Sequence, residues 1–110
     1  QLTQHLAVTA TTGTDTLEVT TDASVVDADF AQLSGFDRFV LGADAADDAQ
    51  SVTLGVNAAA AGISVIDAAT LVGGDDITLN LSAFTSALTI STGAGDDTVV
   101  LGSGGSVLTT

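Results

Sequence analysis

One short phrase, Gly-x-Asp-x-apolar, punctuates this chain four times: Gly13-Thr14-Asp15-Thr16-Leu17, Gly35-Phe36-Asp37-Arg38-Phe39, Gly73-Gly74-Asp75-Asp76-Ile77 and Gly95-Asp96-Asp97-Thr98-Val99. Glycine opens a tight turn that other residues resist, aspartate hydrogen-bonds within such turns, and the apolar residue two places on begins a segment able to pair as a strand. Gly13 to Gly35 and Gly73 to Gly95 each span 22 positions, whereas Gly35 to Gly73 spans 38. Short apolar-polar-apolar runs at Ile63-Ser64-Val65, Ile77-Thr78-Leu79-Asn80-Leu81, Leu88-Thr89-Ile90 and Val99-Val100-Leu101 begin 14, 11 and 11 residues apart. Two strands thus fill about 22 residues. This spacing predicts an all-β fold, a parallel β-helix (β-solenoid) of about 22 residues per coil, with each Gly-Asp turn lying over the previous one. The 110 residues form a single such segment, most regular over 63–102 and irregular around 42–62.

The intervening stretches are less uniform. Leu6, Val8, Leu17 and Val19 keep the period of two that marks half-buried strands. Val26, Phe30 and Leu33 fall instead at i, i+4 and i+7, with Asp22 or Ser24 as N-caps and Gly35 beyond, so a short helical turn is expected near 24–33. Gly42 to Gln50 is an acidic loop carrying Asp44, Asp47 and Asp48, and a solvated loop is its simplest reading. The tract Asn57 to Gly62 holds four alanines, a good helix composition but too short to be stable alone, so a corner or single turn is expected. With four Phe and no Trp, Tyr, Met, Cys or Pro, the core must be filled by Val, Leu, Ile and Ala, which suit a narrow interior.

Charge is one-sided. Fourteen acidic residues face a single Arg38 and no lysine, for a formal net charge of −13. Such a chain repels nucleic-acid phosphates and anionic lipid surfaces, which excludes nucleic-acid binding. No apolar run reaches the roughly 18 to 20 residues of a membrane span, so membrane insertion is not expected. The absence of cysteine leaves stability to packing, metal or assembly. Gln1-Leu2-Thr3-Gln4-His5 has neither an initiator Met nor a signal-like pattern and reads as excised from a longer repetitive chain.

Cations are the natural partners of this charge. Calcium takes six to eight oxygens from carboxylates and backbone carbonyls, and a Gly-rich turn ending in Asp supplies both kinds. Stacking two such turns at about 4.8 Å strand spacing brings both sets to one ion. The candidate calcium ligands are Gly73, Gly74, Asp75 and Asp76 over Gly93, Gly95, Asp96 and Asp97, with Asp15 and Asp37 as a second set. Asp27 lies outside any such turn, so Asp27→Ala is expected to weaken calcium binding far less than Asp97→Ala. Arg38 is expected in a surface ion pair worth under about 1 kcal/mol.

The phrase Gly93-Ala94-Gly95-Asp96-Asp97-Thr98-Val99 resembles the calcium-binding repeat of RTX proteins, pattern G-G-x-G-x-D-x-U-x, with Thr92 where the first glycine belongs. Phe30-Ala31-Gln32-Leu33-Ser34-Gly35-Phe36-Asp37-Arg38-Phe39-Val40-Leu41-Gly42 is similar to the Thr/Ala-rich strand repeats of bacterial surface-layer proteins and giant adhesins. The resemblance implies β-roll-like calcium turns, secretion, folding on meeting extracellular calcium, and a structural or adhesive role at the cell surface.

Enzymatic readings lack parts. His5 is the only histidine, so triads, zinc sites and histidine acid/base chemistry have no second member. Paired aspartates serve polysaccharide-cleaving enzymes, but those need sugar-stacking aromatics, and this chain has no Trp or Tyr. The expected function is therefore a calcium-stabilised structural module of a secreted surface layer, fibre or adhesin stalk. Its expected partners are further copies, neighbouring repeats of the same chain, or cell-surface polysaccharide. A calcium-dependent carbohydrate-binding module is the alternative, and a polysaccharide-active fragment a more distant one.

Overall fold

The computed structural model describes residues 8–9, 13–19, 24–41, 49–71 and 76–109. The chain runs β1 (Val8–Thr9), β2 (Thr16–Val19), β3 (Ser24–Val25), a 3-10 helix (Asp27–Phe30), β4 (Leu33–Ser34), β5 (Arg38–Leu41) and β6 (Gln50–Thr53). There follow α1 (Val56–Ala61), β7 (Val65–Asp67), β8 (Ile77–Asn80), β9 (Thr89–Ser91), β10 (Thr98–Val100) and β11 (Val107–Thr109). The strands form a five-stranded sheet ordered β11-β9-β7-β5-β2, a four-stranded sheet ordered β10-β8-β6-β3, and the pair β1-β4. Every pairing is parallel.

Register explains why these segments became strands. In the larger sheet Leu17, Phe39, Ile66, Ile90 and Leu108 lie on one line across the strands. In the smaller sheet Val25, Val52, Leu79 and Val99 do the same. These two apolar ladders face each other with their central members fully buried, while the alternate positions Ser51, Thr53, Thr78 and Thr89 are exposed. A slip of one residue would turn a whole ladder outward, so the alternation fixes the register. Phe30 and Phe39 meet edge to face at 5.5 Å inside this core, a favoured aromatic geometry.

The expectation of an all-β parallel β-helix with about 22 residues per coil is corrected here. The protein is a mixed α/β body of two main parallel sheets with an α-helix and a 3-10 turn, measuring 33 × 29 × 24 Å with a radius of gyration of 12.9 Å. Successive members of the larger ladder are 22, 27, 24 and 18 residues apart, so no constant coil length exists. The physical reason lies in α1, which packs against β4 and the 3-10 helix and takes the third side of the core without pairing as a strand. Four consecutive alanines offer no branched side chains to a ladder but bury well from a helix, and Ala58 and Ala61 are enclosed. The tract expected to be a corner or single turn is thus an α-helix of six residues. The helical turn over 24–33 takes the 3-10 form, with Val26 exposed and Leu33 already in β4.

So short a helix needs external support, and a distant carboxylate gives it. Asp27 Oδ1 accepts the backbone N–H groups of Gly55 at 2.7 Å and Ala58 at 2.9 Å, while Oδ2 accepts that of Asn57 at 3.0 Å. Gly55 has no side chain to cap the helix, so Asp27 satisfies the first-turn donors from 28 or more residues away. At the other end Gly62 (φ +105°) takes the left-handed conformation, and a Cβ there would come within 2.8 Å of the Phe36 carbonyl oxygen. Asp27→Ala is expected to lower stability by about 2–3 kcal/mol, since three backbone donors lose a charged acceptor. Asp27→Asn, which keeps one acceptor oxygen, should lose less. Urea denaturation of the two variants measures both values.

Candidate functional site

Each described Gly-x-Asp phrase lies at the entrance of a strand. Asp15 and Asp37 precede β2 and β5 of the larger sheet, and Asp76 and Asp97 precede β8 and β10 of the smaller one. Parallel pairing stacks them, and the stacked carboxylates bond to the neighbouring turn's backbone. Asp37 Oδ2 accepts the Asp15 N–H at 3.0 Å, and the Asp15 carbonyl accepts the N–H groups of Asp37 at 2.9 Å and Arg38 at 3.1 Å. Asp76 Oδ1 accepts the Asp96 N–H at 2.8 Å, and Asp97 Oδ1 accepts the Ile77 N–H at 3.2 Å. The second pair of turns is therefore cross-linked in both directions.

The turn over residues 92–98 has the most developed geometry. Gly93 (φ +84°) and Gly95 (φ +123°) both adopt left-handed backbone around Ala94. At Gly93 a Cβ would come within 2.6 Å of the Ala68 carbonyl oxygen, so both conformation and space require glycine. Gly93, Gly95, Asp96, Asp97 and Thr98 line an open depression of about 490 Å³. Asp96 is exposed, and among the described residues no donor is bonded to its carboxylate.

Of the expected calcium ligands, Asp96 and Asp97 share one depression with Gly93 and Gly95, Asp76 is linked to that turn through the Asp96 N–H, and Asp15 stacks with Asp37. The two sets belong to different sheets. Gly73, Gly74 and Asp75 lie outside the described residues, as do Asp44, Asp47 and Asp48 of the acidic loop. Among the described residues no three acidic, histidine or cysteine side chains converge as a metal-ion group. One oxygen of each of Asp37, Asp76 and Asp97 is engaged with a backbone N–H, while Asp15 Oδ2 is buried without a partner among the described residues.

Three acidic residues that sequence reasoning gave no structural part hold the fold. Asp27 caps α1, Asp29 Oδ2 accepts the Val26 N–H at 3.0 Å, and Asp67 pairs with Arg38 at 2.6 Å across β5 and β7. One signal for Asp27 was in the sequence: the alanine helix has no capping residue of its own, so some distant acceptor had to supply it. Nothing local says which one.

No family model, curated protein or solved structure matches the chain.

Thr92 departs from the RTX-like pattern for a visible reason. It is fully buried, its N–H donates to the Thr109 carbonyl at 3.1 Å, and among the described residues its Oγ1 has no partner. An unsatisfied buried hydroxyl costs about 1–3 kcal/mol. Thr92→Val, which keeps the shape and removes the orphan hydroxyl, is therefore expected to raise stability by about 1 kcal/mol. Thr92→Gly, which would complete the repeat pattern, should lower it by leaving a cavity. Thermal melts of the two variants read opposite shifts if burial governs this position.

Proposed function

We propose that this chain is a calcium-stabilised structural module of a secreted bacterial cell-surface protein, part of a surface layer, fibre or adhesin stalk. The observation that carries the reading is the pair of stacked turns at Asp76 and Gly93–Thr98. There, left-handed glycines, an unengaged Asp96 carboxylate and the half-engaged Asp97 carboxylate border one open depression, and Asp76 is tied to the same turn by accepting the Asp96 N–H. Oxygen-only donors in a flexible turn suit a hard divalent cation. A chain of net charge −13 with a single arginine gains stability wherever such a cation sits between its carboxylates. The rest of the described molecule is a laterally hydrogen-bonded scaffold of parallel strands, which is the feature that supports a structural role.

Calcium in hundredfold excess over its Kd is expected to raise stability by about 2.7 kcal/mol, read as a higher melting temperature than in chelator. Asp96→Asn should weaken calcium binding about tenfold in titration calorimetry. Glu18→Gln, which removes the same charge from an exposed site on β2, should leave binding nearly unchanged. Equal midpoints with and without chelator, or equal losses in the two variants, would defeat the calcium reading.

A further inference from the structure

β8 runs out into the tripeptide Asn80-Leu81-Ser82, an asparagine followed two places on by a hydroxyl residue with no proline between, which is the acceptor pattern for N-linked glycans. Its geometry sets the asparagine amide apart. Buried Leu79 and Leu81 flank Asn80, so its side chain lies on the outward row of the smaller sheet, in register with exposed Thr53 and Val100. Its Oδ1 accepts the Ser82 N–H at 3.0 Å, while among the described residues no acceptor is bonded to Nδ2. Asp67 makes the same turn at the end of β7, its Oδ1 accepting the Ala69 N–H at 3.0 Å. The turn thus needs only an oxygen, and aspartate supplies it as well as asparagine does. In a chain of thirteen aspartates and two asparagines, the asparagine at position 80 adds a neutral, unengaged NH2 two residues before a hydroxyl. Asn57, the other asparagine, lies within α1 and is followed by Ala58 and Ala59.

We infer that Asn80 is the acceptor of an N-linked glycan, an inference that rests on the secreted reading above because such transfer accompanies export. The donor is a glycan carried on a polyprenyl diphosphate. The bond from the sugar's anomeric carbon to the diphosphate oxygen breaks, a bond from that carbon to Nδ2 forms, the amide gives one proton to a base of the transferase, and the polyprenyl diphosphate leaves. Oδ1 takes no part in the new bond, so the hydrogen bond from the Ser82 N–H survives the modification. The outward row leaves room for the sugar, since Ser51, Thr53, Thr78 and Thr98 around it are exposed, small and uncharged. The backbone of the tripeptide is not free in the same way. The Asn80 carbonyl accepts the Leu54 N–H at 3.0 Å, the Leu81 N–H donates to the Val100 carbonyl at 2.7 Å, and the Leu81 side chain is fully buried. A transferase that draws the tripeptide into its own cleft therefore reaches it before β8 pairs with β6 and β10. The glycan is added to the unfolded chain and stands outward on the finished sheet.

Exported through a glycosylating secretory pathway, the full chain is expected to carry one glycan that a peptide N-glycosidase removes, located at Asn80 by peptide mass spectrometry. It should keep the circular dichroism of the unglycosylated chain. Asn80→Gln and Ser82→Ala should each lose that glycan entirely while folding as the parent does. Given to a purified oligosaccharyltransferase with a polyprenyl-diphosphate-linked oligosaccharide, the folded parent should stay at its bare 10.7 kDa. Ile66→Asp, unfolded by a charge at a fully buried position remote from the tripeptide, should accept the glycan at Asn80 under the same conditions. An exported parent with no glycan at Asn80, or a glycosylated chain that fails to fold, would overturn the inference. A folded parent modified as readily as Ile66→Asp would overturn the order of transfer before folding. Melting the bare chain with and without chelator reads the calcium module separately, so either reading can fail while the other stands.

Discussion

The fold depends on backbone N–H groups acting as counter-charges. A chain with fourteen acidic residues and one arginine cannot neutralise itself by ion pairs, and among the described residues the arginine pairs with Asp67. The other well-placed carboxylates turn to the main chain: Asp27 to three amides of α1, Asp29 to Val26, Asp37 to Asp15, Asp76 to Asp96 and Asp97 to Ile77. Hydrogen bonds from backbone N–H to a carboxylate are charge-assisted and stronger than neutral ones. They also solve a second problem, since strand entrances and helix starts leave donors that nothing local satisfies. One arrangement answers both needs.

This dependence sets what could be read from the sequence. Alternation at Ile77 to Leu81 and Leu88 to Ile90 is a short-range property, and strands stand at Ile77–Asn80 and Thr89–Ser91 where the pattern puts them. The stacking of Asp15 with Asp37 was legible for the same reason, because the repeated phrase carries its own spacing. What failed was the extrapolation from a 22-residue spacing to a uniform all-β coil. Between Gly35 and Gly73 the chain inserts α1, a helix capped by Asp27 from another segment and packed on β4 and the 3-10 helix. Propensity rates a six-residue alanine tract as marginal, and tertiary contacts decide it. The roles of Asp27, Asp29 and Asp67 were hidden in a chain where aspartate is common and turn phrases attract attention first.

In-register parallel pairing has a cost for repeated acidic phrases, since it aligns like residues and aligned carboxylates repel. The chain limits each column to a short run. In the larger sheet the line through Asp15 and Asp37 continues to Ser64, whose N–H donates to the Asp37 carbonyl at 3.0 Å and whose hydroxyl donates to the same oxygen at 3.4 Å. In the smaller sheet Asp97 aligns with Ile77 and then Gln50, not with another acid. Where two acids do align, as Asp76 with Asp96, one carboxylate accepts the other residue's amide. The pattern is therefore more selective than the repetition of Gly-x-Asp suggests: acids occupy those strand entrances where a neighbouring amide is unsatisfied, and a neutral residue takes the next rung. Asp96 and Asp97 at the entrance of β10 are the last acids of the chain, and the two ladders end in Val99 and Leu108. Charge is thus concentrated along the strand entrances, a pattern that parallel register builds from the order of residues alone.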